Sequence, residues 1–300
     1  MSKKVIVGSR GSDLALWQAH FVIAELTKLG VETELKIIKT QGDEIQHLSF
    51  DKMEGKGFFT KEIEEQLLNG SIDLAVHSHK DLETNQPAGL TIAAVSDRED
   101  PSELLLINKS GVDTSRANHL KEGAIVGTSS ARRKCQLLST NPDIELKDLR
   151  GNVPTRINKL KTQGYDAIML AKAGVARLGI DLSEFHVVEL DPKVFVPAPA
   201  QGALGFQIRE KDTELAVIIG KLNFPEVQER IAVERRVLNL FQGGCQLPLG
   251  VYCEKDGNTY KVWAKMALTW DSPVNETYLE GNQVEALAQE VVEGLSKKKS

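Results

Sequence analysis

Asp97-Arg98-Glu99-Asp100-Pro101 decides the architecture of this chain, because a charged run closed by a proline interrupts a repeating pattern that starts again beyond it. Before the run, residues 4–8, 34–39 and 72–76 read as extended and residues 13–29 and 60–68 as helical. Such alternation predicts βαβ units on a mainly parallel sheet. The first helix repeats Leu14, Trp17, Phe21 and Ala24 at three-to-four spacing, ends in Lys28 and stops at Gly30, so those four residues are expected in the core. After the run, strand signals near 124–127, 144–147, 167–170 and 187–190 alternate with helices starting near Ser130, Val153 and Ala171. This second set ends at Asp191-Pro192, and Val196-Pro197-Ala198-Pro199-Ala200 reads as a second connection. Two βα lobes joined by two crossings leave a cleft, and ligands conventionally bind at the strand ends beside it.

Past about residue 215 the pattern changes to a long helix over 227–241 and a hairpin at Asp256-Gly257, flanked by runs 251–254 and 260–266. A last helix over 284–295 packs by Leu287, Val291 and Leu295 and runs out into Lys297-Lys298-Lys299. The expected fold is α/β: a first lobe of residues 1–98 and 195–214, a second of 99–194, and a small α+β domain of 215–300.

With 300 residues the chain exceeds what one core usually fills, and 41% hydrophobic with 26% charged residues excludes a disordered or low-complexity protein. Its 37 basic and 42 acidic residues give a net charge of −5, against a general nucleic-acid binder. The three cysteines, Cys135, Cys245 and Cys253, form no disulfide framework. The opening apolar run is too short for a signal peptide, and no window approaches the ~18 apolar residues of a membrane span. A cytoplasmic monomer without nucleic-acid or membrane partners is the expectation.

Anion binding must then be local. Residues 129–161 hold eight basic residues, including Arg132, Arg133, Arg150 and Arg156, against three acidic ones. Thr128, Ser129 and Ser130 precede the Arg132 helix and offer hydroxyls and free N–H groups at its start. Arginine forks suit carboxylates and phosphates, although a solvated helix face would read the same way. Arg10, in Gly8-Ser9-Arg10-Gly11-Ser12, sits at another strand-to-helix turn. The apolar run from Ile72 ends in His77-Ser78-His79-Lys80-Asp81, where Asp81 is either a catalytic carboxylate or a cap. His77 and His79 are spaced for one strand face, but without a third ligand nearby they read as packed or hydrogen-bonded. Gly55-Lys56-Gly57-Phe58-Phe59-Thr60 lacks phosphate-loop spacing and reads equally as a lid or a plain loop. Cys245, in Gly243-Gly244-Cys245-Gln246-Leu247-Pro248, sits in a loop able to present its sulfur, whereas Cys135 and Cys253 read as buried thiols.

These residues resemble the porphobilinogen deaminase (hydroxymethylbilane synthase) family over essentially the whole chain. The matching blocks, in order, are Ser9-Arg10-Gly11-Ser12-Asp13-Leu14-Ala15-Leu16-Trp17-Gln18-Ala19, Gly55-Lys56-Gly57, Val76-His77-Ser78-His79-Lys80-Asp81 and Val126-Gly127-Thr128-Ser129-Ser130-Ala131-Arg132-Arg133. Leu149-Arg150-Gly151-Asn152-Val153-Pro154-Thr155-Arg156, Ala200-Gln201-Gly202-Ala203 and Gly243-Gly244-Cys245-Gln246 complete the set. The resemblance implies two lobes built like a periplasmic binding protein plus a third domain. It also implies a dipyrromethane cofactor joined to Cys245 by a thioether, and Asp81 as catalytic carboxylate. Four porphobilinogens would be deaminated and joined head to tail, so the partners are porphobilinogen and the growing polypyrrole chain. Arg132, Arg133, Arg150, Ser129, Lys80 and Asp81 match cofactor-binding positions; Arg10, Ser12, Gln18, Arg150, Arg156 and Lys56 match substrate-binding ones. Departures fall at His79, Leu82-Glu83-Thr84, Ala198-Pro199-Ala200 and Gln207, the last near a frequent glutamate. The alternative is a non-catalytic two-lobed binder of a small carboxylate, which would not need the Gly243-Gly244-Cys245 loop.

Overall fold

A computed structural model describes residues 4–40, 60–242 and 247–297. The chain opens with β1 (Val5–Ser9), α1 (Asp13–Lys28), β2 (Thr33–Ile37), α2 (Lys61–Leu68), β3 (Leu74–Ser78) and β4 (Leu90–Val95). Then come β5 (Glu103–Ile107), β6 (Ile125–Gly127), α3 (Ala131–Thr140), β7 (Glu145–Lys147), α4 (Val153–Thr162), β8 (Ala167–Ala171), α5 (Lys172–Leu178) and β9 (His186–Leu190). β10 (Leu204–Arg209), α6 (Thr213–Gly220) and α7 (Pro225–Leu240) follow. β11 (Leu249–Asp256), β12 (Thr259–Met266), β13 (Asn275–Gly281) and α8 (Val284–Ser296) finish it. Two compact units result: one takes the described residues before Asp100 together with Gly202–Glu229, the other takes Asp100–Gln201 and everything from Arg230 on.

The first unit is a sheet in the order β2-β1-β3-β10-β4. β1 pairs in parallel with β2 and β3, whereas β10 runs antiparallel to β3 and β4. The second unit repeats this mixture in the order β7-β6-β8-β5-β9, with β6 parallel to its neighbours and β5 antiparallel to β8 and β9. Both sheets are therefore mixed and not mainly parallel: a strand that enters by a crossing, without a preceding βα crossover, is free to run against its neighbours. The central strands are covered on both faces, so β3, β5, β8 and β10 are buried along nearly their whole length, whereas the edge strands β2, β7 and β9 are partly exposed.

In α1 the buried residues are Gln18, Ala19, Val22 and Leu26, one step round from the expected stripe. Trp17 and Phe21 stack on its flank with centroids 5.7 Å apart, and Ala24 is exposed. The offset arises because Gln18 faces inward, its Nε2 donating to Ser78 Oγ at 2.8 Å.

The third sheet is an antiparallel β11-β12-β13 meander closed by Gly257 at φ +56. Val251, Val262 and Ala264 pack one face against Val233 and Val237 of α7 and Leu287 and Val291 of α8. On the other face Trp263 lies against Tyr252 and Tyr278 at 5.9 and 4.9 Å. Buried Glu234 ties this domain to the second connection, accepting from Ala200 N at 2.7 Å and Cys253 N at 2.9 Å. Beside it Gly202, at φ +93, runs so close to the first connection that a Cβ there would lie 2.2 Å from the Glu99 carbonyl oxygen. No described helix is long and apolar enough to cross a membrane.

Candidate active site

In the first unit the end of β3 opens on a cavity of about 90 Å³, lined among others by Arg10, Ser12, Gln18, His77, Ser78 and Asp81. The β1–α1 turn supplies Arg10 and Ser12, and the Ser12 hydroxyl also caps α1 by accepting from Ala15 N. Asp81 closes the 3₁₀ turn His79–Asp81. It is exposed between anchors, since His79 N donates to the Ala203 carbonyl at 3.0 Å and Leu82 beyond it is buried. The turn thus presents a carboxylate, with half-buried Lys80 next to it in sequence, where the buried strand runs out.

His77 behind this turn is buried and bonded through Nε2 to Gln207 Oε1 at 3.1 Å. Gln207 Nε2 donates to Glu64 Oε1 at 3.0 Å and Gln86 Oε1 at 2.8 Å. Burial, with Arg10 adding to it, pushes the His77 imidazole down to about 4 against the bond to Gln207. Burial also holds the Glu64 carboxyl above its usual range.

In the second unit Arg132 and Arg133 open α3 and are buried, not spread on a solvated face. Both grip Glu103 of β5, which has no exposed surface. Arg133 Nε and Nη2 reach its two carboxylate oxygens at 3.1 and 2.6 Å, and Nη1 donates to the Met169 carbonyl at 3.1 Å. Arg132 bonds the same carboxylate and donates to the Val196 carbonyl at 3.0 Å. Burial lowers the Arg132 guanidinium from its ordinary value while Glu103 opposes the change. Within the triad two positive charges meet one negative charge, and a buried surplus of that kind suits an anionic ligand.

Ser129 accepts from Leu149 N at 3.0 Å and donates to the Leu149 carbonyl at 3.1 Å, fixing the backbone that leads into Arg150. Lys159 holds the Arg150 carbonyl at 3.0 Å, and Arg156 Nε that of Gly151 at 2.7 Å, on an α4 capped by Asn152. The cavity therefore brings Arg10, Ser12, Gln18 and Asp81 together, while the second unit groups Arg132 with Arg133 around Glu103 and ties Ser129 to the backbone of Leu149, next to Arg150 in sequence. Lys56 and Cys245 lie outside the described residues. Cys135 and Cys253 are buried thiols outside any disulfide, and burial raises Cys135 to about 11. Sequence reasoning missed Glu103; its one signal was a carboxylate opening the apolar run Leu104-Leu105-Leu106-Ile107.

A family model described as "Porphobilinogen deaminase, dipyromethane cofactor binding domain" matches residues 5–217. The porphobilinogen deaminase of Oceanobacillus iheyensis is 46% identical over 259 residues, covering 85% of this chain and 82% of that protein. That of Staphylococcus carnosus is 41% identical over 293 residues, covering 96% of this chain and 93% of that protein. Among solved structures, an ancestral cationic amino acid solute binding protein overlaps 75% of this chain and 89% of its own, with a TM-score of 0.44 and 15% identity.

Proposed function

The chain belongs to the porphobilinogen deaminase family, and from that premise we propose which of its residues carry the reaction. The family's activity is that of a hydroxymethylbilane synthase, a transferase of tetrapyrrole biosynthesis that deaminates four porphobilinogens and joins them head to tail. Family membership does not favour the non-catalytic binder.

Asp81 is the catalytic carboxylate. Loss of ammonia leaves a cation spread over the pyrrole ring and its nitrogen, and a preorganised carboxylate facing the ring N–H stabilises that charge as it develops. Arg10 and Ser12 take the substrate's acetate and propionate, with Gln18 holding Ser78 in place beside them. Arg156 and Lys56 take further carboxylates as the polypyrrole lengthens.

The dipyrromethane is held by a thioether to Cys245, and when bound it supplies the free pyrrole position to which the first substrate is joined. The surplus positive charge of Arg132, Arg133 and Glu103 fits its carboxylates, with Arg150 of the same unit adding to it and Ser129 acting by fixing the chain at Leu149; Lys80 is a further cation for the cofactor. Residues 215–300 work as the domain that carries the cysteine loop, and the two lobes as the binding domains. The protein works as a cytoplasmic monomer with no nucleic-acid partner, the last of which its net charge of −5 supports.

One observation carries this reading: an exposed aspartate and an arginine share the cavity at the end of β3, one for the ring N–H and one for a ring carboxylate. Intact mass tests the cofactor assignment. The purified protein should carry a two-pyrrole adduct that Cys135→Ser and Cys253→Ser retain and Cys245→Ser loses. An adduct surviving on Cys245→Ser overturns the assignment.

A further inference from the structure

We propose that His77 holds the aminomethyl ammonium of the incoming porphobilinogen by accepting a hydrogen bond at Nδ1, a role that rests on the reading of the cavity given above. The hydrogen-bond chain behind the ring fixes which nitrogen can accept. Gln86 Nε2 donates to the Glu83 carbonyl at 2.9 Å, so the Gln86 carbonyl oxygen is the end that faces Gln207. Gln207 meets that oxygen and a Glu64 carboxylate oxygen from the same atom, which must therefore be its amide nitrogen. Its own oxygen is left for His77, and an amide oxygen only accepts. The proton of the neutral imidazole consequently sits on Nε2, and the lone pair is on Nδ1.

His77 lines the cavity that also contains Asp81 and Arg10. The substrate brings carboxylates and two kinds of N–H donor, the ring N–H and the ammonium. Arg10 answers a carboxylate, Asp81 the ring N–H, and His77 Nδ1, an uncharged nitrogen acceptor among the hydroxyl and amide groups of Ser12, Gln18, Thr60 and Ser78, is assigned the ammonium. Among the described residues, the charged groups around the ring are Arg10 from the β1–α1 turn and Asp81, which line the cavity with it, and Glu64 of α2 behind Gln207. Burial and Arg10 keep the imidazole neutral.

A weakly basic acceptor suits this step. The aminomethyl carbon–nitrogen bond breaks with its electron pair leaving on nitrogen, so neutral ammonia departs only if that nitrogen still carries three protons. The ring keeps its N–H and takes the positive charge. An alkylammonium titrates near 10, so an imidazole far below that binds the group without removing its proton. A more basic residue would draw the proton off and leave an amine, a poor leaving group.

Two substitutions separate this role from a structural one. His77→Asn puts an amide near the place of Nδ1 and gives up the bond to Gln207; His77→Gln keeps a donor for Gln207 and gives up the Nδ1 acceptor. With cofactor-loaded protein, His77→Gln should raise KM for porphobilinogen roughly tenfold or more, the size of one hydrogen bond to a charged group, and His77→Asn much less. The reverse order, or equal effects, overturns the proposal. A second measurement needs no variant: ¹⁵N shifts of the wild-type ring should report Nε2–H and a bare Nδ1, unchanged between about pH 8 and pH 6. An Nδ1–H ring overturns the proposal whatever the variants do. Intact mass of the same preparations keeps the underlying reading separate: an adduct on Cys245 with the KM order reversed removes His77 alone, and no adduct in any preparation removes the reading and this role with it.

Discussion

Asp81 is exposed while His79 before it and Leu82 after it are buried, so its charge can be changed without disturbing the packing that presents it. Asp81→Asn should melt like the wild type and lose ~10²–10³ in the rate of ammonia release in a single turnover of cofactor-loaded protein. Asp81→Glu keeps the charge but moves it by a methylene and should fall between the two. An asparagine variant as fast as wild type would leave Asp81 a structural part of the turn. The buried triad predicts an order in stability. Glu103→Leu strands two guanidiniums and should cost about 3–5 kcal/mol in urea unfolding, more than Arg132→Leu, which leaves Arg133 still paired with Glu103. Equal losses would mean that the carboxylate does not organise the pair. Asp81 stood out in the sequence because charge at the end of an apolar run is visible there, and the arginines because residues 129–161 hold eight basic residues against three acidic ones. Glu103 did not, since nothing in one sequence joins a carboxylate to guanidiniums 29 and 30 residues further on.

Helices and βα strands were readable wherever a period or a cap existed: Ser130 and Asn152 do cap α3 and α4, accepting from Arg133 N and Thr155 N. The strands that escaped carry no apolar alternation. β5 and β10 are buried along their whole length, β4 is an unbroken Leu90-Thr91-Ile92-Ala93-Ala94-Val95 run, and β13 is an edge strand with polar residues at exposed and half-buried positions alike. The connections follow backbone rules more than side-chain pattern, which makes their glycines informative. Gly202 and Gly257 both have positive φ, but a Cβ at Gly257 meets nothing while one at Gly202 strikes the Glu99 backbone. Gly257→Ala should therefore lose only about 1 kcal/mol, and Gly202→Ala that cost plus the displacement of the first connection at Glu99, ~2–4 kcal/mol in all. Urea midpoints of the two variants check the difference, and equal shifts would show that the crowding at Gly202 relaxes freely.

Across the whole chain, acid should reach the two units by different routes. The His77 ring titrates near 4 when folded and near 6.5 when unfolded. As pH falls through 6.5 the unfolded chain gains a proton that the folded one refuses, and the first unit loses up to roughly 3 kcal/mol by pH 4. In the second unit Asp100, lowered by its bonds to Lys172 and Ser102 against burial, contributes stability above its unfolded value of 3.8 that is lost only as pH falls further. Trp17 reports the first unit and Trp263 the second, so single-tryptophan variants should show the Trp17 transition weakening between pH 6.5 and pH 4. His77→Gln should flatten that slope, and an unchanged slope would remove His77 as its source. The same division has a consequence in time. β10 fills the place between β3 and β4, yet it is encoded after every strand of the second sheet. A ribosome adding ~5–20 residues per second needs on the order of ten seconds to travel from β4 to β10. Until then β4 has no neighbour and β3 keeps one open edge, so the nascent chain carries an unfilled slot for a strand. Synthesis of the second lobe acts as the clock for completing the first, and a translational pause placed before Leu204 would prolong that exposure without altering one contact of the finished protein.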